Sequence, residues 1–490
     1  MKSRTSLALT LLLMLAGCGL SGQQDQVRVV VIDDGNRGIN AVGVNLTYAA
    51  AEMRASVAQG LVGFDGQGRV VPMLAARWIV TDDGLSYIFR LREGEWSDGR
   101  EITAERVAKV LTERLAELKN SRLGYDLQDV SAVIAMTGSV IEVDLKAPMP
   151  NFLQLFAQPE LGLFRDGYGA GPLYAESGKK QRYISLTPLQ RLRPDEQSDD
   201  TAEEDPRRLY LRSDSAASAI ARFDRGSSDV LLGGRFQHLP LADAAKLDSV
   251  RFDPVSGLFG LRFIAAKGFW EAARNRELFN MAIDRPAFLA SFDIVSAWVA
   301  REKIVPEALD FEGIVTKPDW ATMTMDQRRE FAATNIANWK RANGEIAPLR
   351  IALPNGPGAD ILFLRLRYDA QRVGLNIVRV DASEGADAVL IDEIAPYDSA
   401  RWFVSRLSCK VTPVCNSEAD EKVAAANDAM DLTEKARGYA EAEYMQIRHS
   451  GFIPIAVPLR WSATRQGVRG FTENLRSWHP LHSLIGVGEY

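Results

Sequence analysis

The chain has 490 residues, of which 46% are hydrophobic and 25% charged, an ordinary globular composition with room for two or three domains. Its formal charge of −6, without any block of Lys or Arg, argues against nucleic acid as a partner. Beyond the N-terminal segment, no stretch reads as long and apolar enough to span a membrane.

At the N-terminus, Lys2 and Arg4 precede an apolar run over residues 7–16 that ends in the small residues Ala16, Gly17 and Cys18. This is the pattern of an export signal, and the run is about half of the ~20 apolar residues that cross a bilayer core, so residues 1–17 read as a cleaved leader. Leu15-Ala16-Gly17-Cys18 resembles the bacterial lipobox, which implies a thioether-linked lipid on Cys18 and attachment to a membrane face. The other reading is a plain secretory signal with an incidental cysteine. Loss of Lys2 and Arg4 with the leader moves the charge from −6 to −8.

Downstream, short β-like runs alternate with amphipathic helices. Residues 27–32 and 377–380 read as strands, as does the alternation Leu85, Tyr87, Phe89, Leu91 with polar Ser86, Arg90 and Arg92 between. Asp83-Gly84 and Asp98-Gly99 are turn dipeptides on either side of that strand. Thr103 then reads as the N-cap of a helix with Glu105 in its first turn and Val107, Val110, Leu111, Leu115 and Leu118 along one face, a core stripe. Residues 191–206, rich in Asp, Glu, Ser and Arg, read as a solvated surface loop. The fold class is therefore α/β. Apart from Cys18, the cysteines are Cys409 and Cys415, close enough to close a short ring in an oxidising compartment; a disulfide is expected, with free thiols as the alternative.

A catalytic or metal role finds little support. The four histidines, His238, His449, His479 and His482, stand near no Ser-centred nucleophile elbow and no partner cysteine. Gly167 to Pro172 lacks the spacing of a phosphate-cradling loop and reads as a chain turn. Pro480 between His479 and His482 breaks the helix that would align them for a metal, so these residues read as a C-terminal loop. Asp392 and Glu393 are adjacent, and neighbours on a strand point apart. No catalytic residue, metal ligand or cofactor is assigned.

The motifs in order carry a resemblance. Residues 60–107 contain Gly60-Leu61-Val62, Pro72-Met73-Leu74-Ala75-Ala76-Arg77-Trp78, Asp83-Gly84, Phe89-Arg90-Leu91-Arg92, Trp96-Ser97-Asp98-Gly99 and Thr103-Ala104-Glu105-Arg106-Val107. Further landmarks follow: Gly169-Ala170-Gly171-Pro172, a helix over residues 275–285 ending Ala282-Ile283-Asp284-Arg285, Gly374-Leu375-Asn376-Ile377, residues 415–420, and Val468-Arg469-Gly470-Phe471. This series resembles family 5 of the bacterial extracellular solute-binding proteins, the peptide and nickel type. The resemblance implies a class II periplasmic-binding fold with two lobes around a cleft: residues 24–57, 158–255 and 462–490 in lobe I, 58–157 in an inserted domain, and 256–461 in lobe II. It implies the substrate-binding component of an ABC importer, periplasmic or at the cell surface. Its partners would be a small solute or short peptide, the permease subunits, and the membrane through Cys18. The alternatives are a sensor or chaperone-like lipoprotein on the same fold and an exported hydrolase.

By the same resemblance, Gln59, Asp392, Tyr397, Asp398, Arg401 and Trp402 are the candidate ligand-binding residues. The chain departs from the family there. Aligning Trp402 with the family's aromatic puts Ala395 where an aspartate holds a peptide's ammonium, and Gln59 replaces a common Glu. A buried ammonium facing a methyl group loses several kcal/mol. The expected ligand is therefore a less cationic or partly apolar solute rather than a generic dipeptide; in the other reading Asp392 takes over and peptides still bind.

Overall fold

The computed structural model describes residues 26–33, 39–165, 167–177, 183–189, 208–247, 249–292, 294, 298–309, 316–381 and 384–486. The leader 1–17, Cys18 and the polar stretch 191–206 lie outside the described residues.

Gln26–Ile32 sits inside a seven-stranded sheet, parallel to Arg208–Asp214 on one side and Val230–Arg235 on the other. Helices and loops cover both faces, which explains why this strand reads as an almost unbroken apolar run instead of alternating. Leu173–Ser177 and Ile184–Pro188 extend one edge, and Arg460–Thr464 and Val250–Asp253 form the other. A second, five-stranded sheet runs Ile377–Val380, Leu349–Ala352, Ala388–Ile394, Gly257–Phe263, Phe452–Ala456. A four-stranded antiparallel sheet holds Ala75–Val80, Ser86–Leu91, Val140–Leu145 and Val130–Thr137.

The chain passes between the two large sheets along two adjacent connections. Val250–Asp253 continues through residues 254–256 into Gly257–Phe263, and Phe452–Ala456 continues through residues 457–459 into Arg460–Thr464. One core spans the junction: Ile32, Phe236 and Trp461 from the first sheet side pack with Phe259, Leu261 and Ile453 from the second. The Phe236 and Phe259 rings lie 4.9 Å apart, edge to face, and burial of each such ring contributes roughly 1.5–3 kcal/mol.

The smaller sheet follows its sequence pattern closely. Tyr87, Phe89 and Leu91 are buried on one face of Ser86–Leu91, and Asp83 Oδ1 accepts the Leu85 N–H at 3.0 Å to close the preceding turn. The helix is Ala104–Leu118, with Thr103 accepting from the Arg106 N–H. Val107, Leu111 and Leu118 are buried, while Val110 and Leu115 flank them half-buried. The Gly169–Pro172 turn packs against the end of helix Tyr48–Val57 so closely that a Cβ on Gly169 would lie 2.0 Å from the Val57 carbonyl oxygen.

The helix expected over residues 275–285 is divided. Ala273–Ala282 ends, Ile283 is extended, and Asp284 caps a new helix, Arg285–Leu289, by accepting the Ala287 N–H at 3.1 Å. The cause is Pro286, which has no N–H to continue the first helix and suits the opening turn of the next. Nor is the C-terminal stretch a free loop. His479 is buried with its Nε2 3.2 Å from Asp253, and His482 is buried in the 3₁₀ turn Leu481–Ile485. Cys409 and Cys415 are joined by a disulfide, with their Cα atoms 5.1 Å apart. No helix among the described residues is long and apolar enough to cross a membrane.

Candidate functional site

A cavity of about 350 Å³ opens where the three sheet units meet, beside the two chain crossings. Tyr48, from the helix Tyr48–Val57, and Trp478 form one side of it, their rings stacked 5.4 Å apart. The Tyr48 hydroxyl donates to the Ser477 carbonyl at 2.8 Å, which fixes the ring. Gly233 and Arg235 contribute from the C-terminal end of Val230–Arg235, an inner strand of the seven-stranded sheet. Asp392 to Pro396, Trp402 and Arg406 come from the five-stranded sheet and the helix Ala400–Ser405 with its C-cap, and Arg122, Leu123 and Asp126 from beside the four-stranded sheet.

The position of Arg235 follows from its strand. Between Leu231 and Gly234 the pairing with Arg460–Thr464 slips by one residue, a bulge built on Gly233 and Gly234. Gly233 has φ +82°, and a Cβ on Gly234 would lie 2.2 Å from the Trp461 ring, so the bulge requires glycine at both positions. Trp461 Nε1 donates to the Arg235 carbonyl at 3.0 Å and holds the backbone after the bulge.

Charged groups dominate the walls. Arg460 donates to Asp392 Oδ1 at 2.7 Å and to its carbonyl at 3.1 Å, joining the two large sheets across the base of the cavity with both side chains nearly covered. Arg122 and Arg406 both reach Glu393, at 2.8 and 2.6 Å. Arg476 pairs with Asp398. Asp126 accepts the Tyr397 hydroxyl at 3.1 Å; burial pushes its carboxyl up to about 6, against the pull of Arg401. Burial also pushes Glu160 up, with Arg54 as its nearby counter-charge. Of the five arginines lining the cavity, Arg235 alone has a guanidinium without a hydrogen-bond or ion-pair partner among the described residues.

A second buried cluster lies next to this cavity. Glu52 accepts the His479 N–H at 3.1 Å, and Asp253 accepts the Ser477 hydroxyl at 2.8 Å and faces His479 Nε2. Burial pushes Glu52 up to about 7, more than the neighbouring His479 pulls it down. Burial lowers His479, yet its hydrogen bond to Asp253 and the charges of Asp253 and Glu52 outweigh this and leave it raised.

Only some of the residues named from sequence come together here. Asp392 and Trp402 line the cavity, as does Ala395. Gln59 lines a separate, smaller cavity of about 40 Å³ with Glu52, Trp478 and His482. Tyr397, Asp398 and Arg401 do not line the larger cavity: Tyr397 is fully buried, Asp398 is held by Gln154 and Arg476, and Arg401 pairs with Asp129. They stand behind the wall because the Pro396 turn carries the chain into the core before the helix Ala400–Ser405 begins. Sequence reasoning missed Tyr48, Arg122, Arg235, Arg406, Arg460 and Trp478. A signal existed for Arg235, since two glycines inside a strand pattern mark a bulge that re-aims the next side chain.

Residues 69–294 match the family model described as "Bacterial extracellular solute-binding proteins, family 5 Middle". Among curated proteins, the chain is 34% identical over 131 residues to the probable deoxycholate-binding periplasmic protein YgiS of Escherichia coli, covering 23% of this chain and 24% of that protein. It is 28% identical over 148 residues to the glutathione-binding protein GsiB of Escherichia coli, 30% of this chain and 28% of the relative. These alignments span about a quarter of the relatives' length. The fold compares over far more of the chain: OppA of Haemophilus influenzae, crystallised in complex with the peptide RPPGFSPFR, matches with TM-score 0.77 at 15% identity, covering 95% of this chain and 99% of that one. The family match thus covers residues 69–294, and the likeness to OppA extends the same fold over nearly the whole chain.

Proposed function

We propose that this chain is the substrate-binding component of an ABC importer, which captures a small solute outside the cytoplasm and presents it to a membrane permease. The observation that carries the reading is the cavity of about 350 Å³ placed between two large sheets that only two adjacent connections join. Ligands in such folds sit at the lobe interface, where hinge closure strips water and a few polar groups decide what binds. Residues 254–256 and 457–459 are the hinge, and the permease reads the closed shape. The lobes follow the borders expected from the motifs to within a few residues, Arg460 and Trp461 going with lobe I because they pair in the seven-stranded sheet, with residues 58–157 as the inserted domain. The protein is held at the periplasmic or outer face of a membrane by a lipid on Cys18, and it performs no chemistry on its ligand.

Within the cavity, Tyr48, Trp402 and Trp478 offer flat apolar surface. Asp392 is committed to Arg460, which supports a ligand other than a generic dipeptide: an ammonium would have to displace a buried guanidinium to reach this carboxylate. The deoxycholate and glutathione in the relatives' names are carboxylate-bearing solutes.

Two experiments test the role. Detergent extraction of the bacterial envelope with the chain tagged is expected to co-purify a permease and its ATPase in a solute-dependent manner; recovery of the chain alone under every solute condition contradicts transport. Radiolabelled palmitate is expected to enter the wild-type chain and not Cys18→Ala, whose protein leaves the membrane fraction. Label retained in the variant refutes the anchor.

A further inference from the structure

The charge inside the cleft runs opposite to that of the chain. Overall the protein carries −6, yet five arginines line the cavity against four carboxylates, and three of those carboxylates are engaged. Asp392 is taken by Arg460, Glu393 by both Arg122 and Arg406, and Asp126 by the Tyr397 hydroxyl. Arg262, half-buried behind Glu393, adds a third guanidinium around that single carboxylate, and burial lowers it. Arg235 stands beside Arg460, aimed into the cavity by the Gly233-Gly234 bulge, with no partner for its guanidinium among the described residues.

A guanidinium left unpaired in a half-buried cavity is unfavourable until an anion reaches it, and its planar fork matches a carboxylate with two parallel N–H···O bonds. Next to it, the stacked Tyr48 and Trp478 rings give an apolar body somewhere to lie. We propose that Arg235 is the anion receptor of this cleft and that the solute is an organic carboxylate with a flat apolar part and no ammonium group. Arg235 takes the carboxylate from the seven-stranded sheet side, and the excess of guanidinium around Glu393 repels a cationic end from the other. This rests on the proposed solute-binding role and adds the charge class of the ligand to it.

The test is calorimetry on the mature full chain with three probes that share one side-chain pair and are anionic, zwitterionic and cationic in turn: N-acetyl-alanyl-tryptophan, alanyl-tryptophan and alanyl-tryptophan amide. The acetylated anion is expected to bind tightest and the cationic amide not at all. Arg235→Gln is expected to weaken the anion on the order of thirtyfold, Arg235→Lys by less, and Arg77→Gln, an exposed arginine far along the smaller sheet, not at all. Melting curves of the four proteins confirm that each is folded. Equal or tighter binding of the zwitterion or the amide, or unchanged affinity in Arg235→Gln, overturns anion selection while solute binding stands. Failure of all three probes to bind overturns both.

Discussion

The Arg460–Asp392 pair shows what a buried charge costs and what it holds. The side chains are 8% and 10% exposed, so each ion depends on its partner and not on water. Removing one side leaves an uncompensated charge, and Asp392→Ala is expected to cost about 3–5 kcal/mol in urea unfolding. Asp392→Ala with Arg460→Met is expected to recover most of that loss; a double variant as unstable as the sum of its singles contradicts the pairing. Glu52 acts in the other direction. Its folded-state value, pushed up to about 7 from an ordinary 4.5, means that the native state favours the protonated form. Its contribution to stability is therefore complete below pH 4.5 and is lost as pH rises toward 7. His479, also raised, loses its contribution in the same direction, as pH rises through its folded-state value. Glu52→Gln keeps an acceptor for the His479 N–H, so it is expected to melt higher than wild type at pH 8 and no higher at pH 4.5. Equal melting temperatures at both pH values would remove Glu52 as the cause.

At the scale of elements, local chemistry and tertiary placement part company. The strand Ser86–Leu91 and the helix Ala104–Leu118 were legible because alternation, turn dipeptides and an N-cap all lie within a few residues of what they specify. Thr103→Ala is accordingly expected to cost about 1 kcal/mol, read as a lower urea midpoint with an unchanged slope. The division at Ile283 was less legible, since the family motif covers it while Pro286 decides it from just beyond. The cleft was the least legible element. Arg235, Arg460 and Trp478 all lie far from Tyr48 in sequence, and only the tertiary fold brings them together. The residues chosen around Tyr397 are close in sequence to those lining the cavity yet lie behind its wall. The bulge offers a sharp check: Gly234→Ala places a methyl group against the Trp461 ring, and it is expected to lower stability by about 1–3 kcal/mol. A neutral variant would mean that the bulge does not set the backbone before Arg235.

At the scale of the whole molecule, the proposed role asks that two lobes on two short connections enclose a solute and release it unchanged. The merged core around Phe236, Phe259 and Trp298 ties the two large sheets together beside the connections, the side on which the proposed hinge lies. The measurement that bears most directly on this account is native mass spectrometry of the mature protein purified from the envelope of the bacterium that makes it. One small organic solute per chain, bound non-covalently and recovered chemically unaltered after denaturation, is the predicted result. A chain that carries no solute under any growth condition, or one that releases its ligand as a reaction product, would contradict it.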